Sequence, residues 1–166
     1  MNRLLIKDIV IINEGIRTSG DIYIEGELIK EIGSNLEYDK GIKIIDGNGR
    51  IAIPGMIDDQ VHFREPGLTH KGNISTESKA AIAGGVTSYF EMPNTFPNTT
   101  SRKELEKKIQ IASKNSFANF SFMFGGTNDN IDEIKKLDAK EVAGIKLFLG
   151  SSTGKMLIDN QDSIEN

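Results

Sequence analysis

The segment Ile51-Ala-Ile-Pro-Gly-Met-Ile-Asp-Asp-Gln-Val-His-Phe-Arg-Glu-Pro-Gly67 marks the place where this chain changes rhythm. Before Pro54-Gly55 the sequence reads as short strands and turns; after it, apolar strands alternate with helical patterns. On the N-terminal side Leu4–Ile6 and Ile9–Ile12 are apolar and β-branched, and Asn13-Glu-Gly15 follows as a turn. Asp21–Ile24 alternates, meets Glu25-Gly26, and resumes at Leu28, Ile29 and Ile32. That pattern predicts a hairpin, because glycine tolerates the positive φ of a tight turn. Ile42, Ile44 and Ile45 predict another strand, stopped by Asp46-Gly-Asn-Gly49, and Ile51–Ile53 predict a last one. About 50 residues of strand and turn bury only a thin core, so residues 1–54 are expected to lean on something else.

Residues 55–166 follow a longer period. Apolar strands centred near Val61, Tyr89, Phe122 and Leu147 recur at intervals of about 30 residues, the length of a strand–helix unit. Asn73 opens a helical pattern through Glu77, Ala80, Ala81 and Ile82 that stops at Gly84-Gly85. Ser101-Arg-Lys-Glu104 has the form of a capping box, with Leu105, Ile109 and Ala112 following on one face. Asn130 and Glu133 repeat that form ahead of Ile131, Ile134 and Leu137, and Lys135-Lys136 suit the negative end of a helix dipole. Strand and helix alternating in this way predict right-handed βαβ units on a parallel sheet. A closed (β/α)₈ barrel takes roughly 250 residues. The four units here therefore predict an α/β fold in which residues 55–166 form the first half of a barrel.

Composition removes several function classes. The 166 residues carry 24 acidic against 20 basic side chains, a net charge of −4, with no basic stripe to release counterions. A nucleic-acid or membrane partner is therefore not expected. There is no cysteine, so no disulfide, thiolate metal site or thiol nucleophile is available. No apolar run approaches the ~20 residues of a membrane span, and the opening residues alternate apolar and charged too soon for a signal peptide. A cytoplasmic location is the expectation. His62 and His70 are the only histidines, and His70 reads as exposed or packed in a loop.

Chemistry in such a fold gathers at the C-terminal ends of the strands. Gln60, His62 and Arg64 lie two apart and so share one face of a strand. An imidazole nitrogen beside a two-pronged guanidinium suits a metal with an anionic ligand; the same two residues also suit a hydrogen-bonded core histidine and a surface arginine. The next strand ends in Glu91-Met-Pro-Asn94-Thr-Phe-Pro97, where two prolines stiffen the loop and Asn94 offers a donor and an acceptor. Pro-Asn-Thr by itself is an ordinary turn. Lys146 stands within Ala143-Gly-Ile-Lys-Leu-Phe-Leu149, and so many apolar neighbours require it to snorkel, pair or be chemically modified.

The run Gly55–Gly67, taken with Glu91-Met-Pro-Asn-Thr95, resembles the dihydroorotases of the cyclic amidohydrolase superfamily. The strand-rich opening that ends in Ile53-Pro-Gly-Met-Ile-Asp58 is similar to the small β-sandwich preceding their TIM-like barrel. The resemblance implies reversible hydrolysis of the cyclic amide of dihydroorotate to N-carbamoyl-L-aspartate, in pyrimidine biosynthesis, with one or two Zn²⁺ ions. It implies that His62, as the second histidine of an Asp-x-His-x-His motif, is a metal ligand. It places Lys146 where many members carry a carboxylated lysine bridging two metals, and it makes Arg64 and Asn94 the residues that hold the substrate carboxylate. Gln60 departs from the motif, standing where the first histidine belongs. The remaining histidines and the general-base aspartate of the family have no counterpart in these 166 residues, so no catalytic residue is expected here and the fragment alone should be inactive. A homodimer or association with aspartate transcarbamoylase is the implied assembly. The alternatives are a hydantoinase or allantoinase, whose uncharged rings give a carboxylate clamp little to do, and a non-catalytic homologue acting as a structural partner, which Gln60 supports.

Overall fold

The computed structural model describes residues 2–38, 40–150 and 156–165. The chain divides into two compact units, Met1–Pro54 and Gly55–Asn166.

The first unit is one mixed sheet of β1 (Arg3–Asn13), β2 (Ile16–Glu25), β3 (Leu28–Gly33), β4 (Lys43–Asp46) and β5 (Ile51–Ala52). Its order is β3-β2-β1-β4, with β5 also paired to β1. The β1–β2 and β2–β3 pairs are antiparallel, whereas β4 and β5 run parallel to β1. Glu14 and Gly15 both have positive φ (49° and 77°), the two-residue turn whose twist matches that of the strands it joins. The two strands expected at Leu4–Ile6 and Ile9–Ile12 are a single strand, bent by a bulge where the register jumps from Ile6 to Ile9. Asp8, at φ 53°, fills the bulge, and its N–H donates to the buried carboxylate of Asp21 at 2.9 Å. Leu36 N–H donates to the other Asp21 oxygen at 2.9 Å. The Asp8 bond above all holds the Asp21 carboxyl below its usual pKa, in spite of burial. Leu5, Ile9, Ile22 and Tyr23 are buried, but Leu28, Ile29, Ile32, Ile44, Ile51 and Ile53 are each more than half exposed. The core is as thin as its length requires.

The second unit runs β6 (Met56–Val61), α1 (Ile74–Ala83), β7 (Val86–Glu91), α2 (Arg102–Asn115), β8 (Asn119–Gly125), α3 (Ile131–Ile134), β9 (Gly144–Lys146) and α4 (Gln161–Glu165). Its four strands form a parallel sheet in the order β6-β7-β8-β9. Phe63, Tyr89, Phe122 and Phe124 meet Ile74 of α1 and Leu105 and Ala112 of α2 in one core cluster. Val61 also packs there, so Gln60 and His62, which alternate with Val61 and Phe63, face the opposite side of the sheet. The sheet curls as a half-barrel, and on its concave side Lys146 Nζ lies 3.3 Å from Gln60 Oε1.

Capping explains where the helices begin. The Asn73 side chain accepts Thr76 N–H, and Thr76 reciprocates, closing a capping box for α1. Ser101 accepts Glu104 N–H at 3.4 Å, but Glu104 turns outward to pair with Lys107 rather than completing the box. The expected box at Asn130 does not form. Asn130 Oδ1 accepts Thr127 N–H while its amide donates to the carbonyls of Thr100 and Gly125. With the cap residue spent on loop contacts, α3 is one turn long. The fourth strand is centred on Ile145 rather than Leu147, since it ends at Lys146.

Candidate active site

The C-terminal ends of β6 and β7 bring His62 and Asn94 into contact, with the Arg64 charge near enough to act on the imidazole. Strand β6 stops at Val61, and His62 follows on the concave side. The two-residue alternation ends there, because Arg64 has φ 71°. Arg64 reaches this region by a backbone turn and not, as its spacing suggests, by sharing a strand face with Gln60 and His62. His62 Nδ1 lies 2.9 Å from Asn94 Oδ1. A carbonyl oxygen can only accept, so Nδ1 carries the proton and Nε2 keeps the lone pair of the neutral ring. Burial lowers the His62 pKa, and the nearby charges of Arg64, Lys146 and Lys108 lower it further, against the bond to Asn94. The outcome is an imidazole whose protonation is disfavoured, by burial first and by the neighbouring charges after it.

The two loops that carry these groups are fastened to each other. Phe96 N–H donates to Pro66 O at 3.1 Å. Gly67 has φ 84°, and a Cβ at that position would sit 1.9 Å from the Phe96 carbonyl oxygen, so only glycine fits. Glu65 Oε2 accepts Ile74 N–H at 2.8 Å and ties the first loop to the start of α1. Within the second loop Thr95 Oγ1 donates to Pro97 O at 2.9 Å, and Asn98 Nδ2 donates to Thr95 O at 3.0 Å. Asn94 is buried, which removes it from the class of ordinary surface turns.

Lys146 is half-buried and resolves its apolar surroundings by pairing. Its ammonium donates to Gln60 Oε1 and lies 5.4 Å from the centroid of the Phe148 ring. Gln60, at the motif's first-histidine position, thus meets the lysine directly. His70 is exposed, as expected. Among the described residues no cluster of three His, Asp or Glu side chains could hold a metal ion. The donor set that is present, one imidazole beside an amide and an ammonium, does not by itself make a metal site.

Two functional candidates escaped the sequence reading. Glu91 and Lys108 are both buried and form an ion pair just behind the β7 end. Lys108 falls three residues after Leu105 and four before Ala112, on the apolar stripe of α2. A charge on that face requires a buried counter-charge, and this is the signal that could have found both.

Comparison with known proteins identifies the family and the fold. The sequence model of the family described as dihydro-orotase-like matches residues 49–154. A dihydroorotase from Methanosarcina mazei is 38% identical over 143 residues, which cover 86% of this chain and 31% of that protein. An allantoinase from Salmonella choleraesuis is 36% identical over 158 residues, 95% of this chain and 34% of the relative. Among solved structures, the L-hydantoinase (dihydropyrimidinase) from Arthrobacter aurescens superposes with a TM-score of 0.91 at 25% identity, over 99% of this chain and 37% of that one. The chain spans about a third of the length of the curated relatives it matches.

Proposed function

We propose that this chain, which belongs to the dihydro-orotase-like family of cyclic amidohydrolases, builds the substrate-carboxylate side of a dihydroorotase active site. The reaction is the reversible opening of the dihydroorotate ring to N-carbamoyl-L-aspartate. The observation that carries this reading is the His62–Asn94 contact at 2.9 Å with the Arg64 charge acting beside it. Dihydroorotate is an anion, and its ring carboxylate is the feature that separates it from the uncharged rings of hydantoins and allantoin. A guanidinium can grip that carboxylate with two parallel hydrogen bonds, and an asparagine amide can add a third. Holding the carboxylate at the loop ends fixes where the ring amide lies, which is the positioning share of catalysis.

Zinc is part of the same proposal. Its chemistry would be to polarise the amide carbonyl and lower the pKa of a bound water. From this chain His62 would offer Nε2, the nitrogen that Asn94 leaves free, and Lys146 would offer two oxygens once its amine is carboxylated. Gln60 offers only a neutral amide oxygen, a poor ligand for zinc beside an imidazole. Further ligands and the general base would come from outside these 166 residues.

The test is a substrate panel on the full-length protein, comparing kcat/KM for dihydroorotate, allantoin and a 5-substituted hydantoin. The expected result is dihydroorotate well ahead of both. Preference for either of the others would move the protein to the allantoinase or hydantoinase branch, and turnover of none would identify a non-catalytic homologue.

A further inference from the structure

Two buried charges stand behind this site without a role in it. Glu91, the last residue of β7, is 1% exposed, and Lys108 of α2 is fully buried. They form an ion pair. Lys108 Nζ also donates to the Met92 carbonyl at 2.8 Å and lies 5.4 Å from the centroid of the Phe122 ring. Its ammonium therefore has a carboxylate, a carbonyl and a ring face to satisfy its three hydrogens. Burial pushes the Glu91 carboxyl above its ordinary pKa, against the opposing pull of the Lys108 charge and, more weakly, of the Arg64 and Phe63 backbone. Met92 N–H donates to Val61 O at 3.0 Å. The pair thus occupies the junction between the strand end that carries His62 and Arg64 and the strand end that carries Asn94.

A buried ion pair is often a packing contact that apolar residues of similar volume replace without loss. The surroundings of this one point further. Its backbone partner, the carbonyl of Met92, lies just past the end of β7 and two residues before Asn94, and not in mid-core. Arg64 also holds φ 71°, a backbone state that a residue with a Cβ keeps only when its neighbours impose it. Resting on the carboxylate-clamp reading above, we infer that Glu91 and Lys108 are positioning residues. Lys108 holds the Met92 carbonyl at the root of the Asn94 loop, Met92 N–H holds the strand end that leads into His62 and Arg64, and Glu91 locks Lys108 in place, so that Arg64 and Asn94 address one carboxylate together.

The test uses the full-length protein, dihydroorotate as the probe, and the variants Glu91→Gln and E91M/K108M. The double variant removes both charges while keeping side-chain volume, so its melting temperature should stay close to that of the parent. The expected result is a KM about tenfold or more higher, from a loosened charge-assisted contact, with a much smaller change in kcat. Amide hydrogen exchange should quicken in residues 62–68 and 92–98 and stay unchanged elsewhere. A double variant that folds and keeps both the parental KM and the parental exchange pattern overturns the inference, leaving the pair a packing contact. If the double variant does not fold, Glu91→Gln is read by the same two criteria. If the parent turns over no dihydroorotate, the proposed function fails by itself and exchange decides alone: local quickening in both segments supports the positioning role, and its absence overturns it.

Discussion

Arg64 is the residue on which substrate choice turns, and its type matters as much as its charge. Lysine in its place keeps the cation but loses the planar fork that grips a carboxylate from two directions. Arg64→Lys in the full-length protein should raise KM for dihydroorotate roughly 10–100-fold, as expected for a charge-assisted bond of about 1.5–3 kcal/mol. Parental kinetics in that variant would remove Arg64 from the clamp. Gln60 carries a second expectation at this scale. Because its amide oxygen accepts from Lys146 and is a weak zinc ligand, Gln60→His should increase the zinc that the full-length protein retains after dialysis. Elemental analysis showing equal content in both proteins would mean that the glutamine is no handicap. His62, Arg64, Asn94 and Lys146 were singled out by the family resemblance, since spacing alone left each an ordinary reading and made Asn94 a plain turn residue. How Arg64 enters was not legible, since period-two spacing carries no record of a left-handed residue at 64. The Glu91–Lys108 pair was hidden for another reason: a lysine in a helix full of lysines looks solvated until its position on the apolar stripe is counted.

Elements hold these residues through local hydrogen bonds, and the sequence revealed those bonds unevenly. The caps at Asn73 and Ser101 were readable because their side chains act on the next turn of the same helix. Asn130 misled because its partners, Thr100 and Gly125, come from elsewhere in the chain, and a three-residue spacing cannot show them. The bulge in β1 was read as a gap between two strands, since Lys7-Asp8 breaks the apolar run while the ladder continues past it. Asp21 is what holds that bulge. Asp21→Asn should destabilise the N-terminal unit by about 1–3 kcal/mol, the range for charged hydrogen bonds to buried groups. The sign of the pH dependence follows from the depressed carboxyl. Its stabilisation is whole above the ordinary value of 3.8 and is lost as the pH falls through the lower folded value. Urea unfolding should therefore separate the two proteins most near neutrality and bring them together in acid. A gap that persists unchanged in acid would assign the effect to packing instead.

At the scale of the whole molecule, the strand–helix period predicted the half-barrel, and Gln60 and Lys146 meet on its concave side. What period could not supply is closure. Met56, Ile57 and Leu149 are each more than 60% exposed, and among the described residues β9 pairs on one side only. Open backbone groups beside uncovered apolar side chains are an association hazard. Residues 1–166 expressed alone should be inactive and should self-associate, as light scattering would show; a monodisperse, active monomer would contradict the half-barrel account. The most direct measurement of the carboxylate clamp compares dihydroorotate with dihydrouracil, the same ring without the carboxylate, as substrates of the full-length protein. A site built around Arg64 and Asn94 should favour dihydroorotate in kcat/KM by about a hundredfold or more. Equal kcat/KM for the two rings would show that no carboxylate is read at these residues.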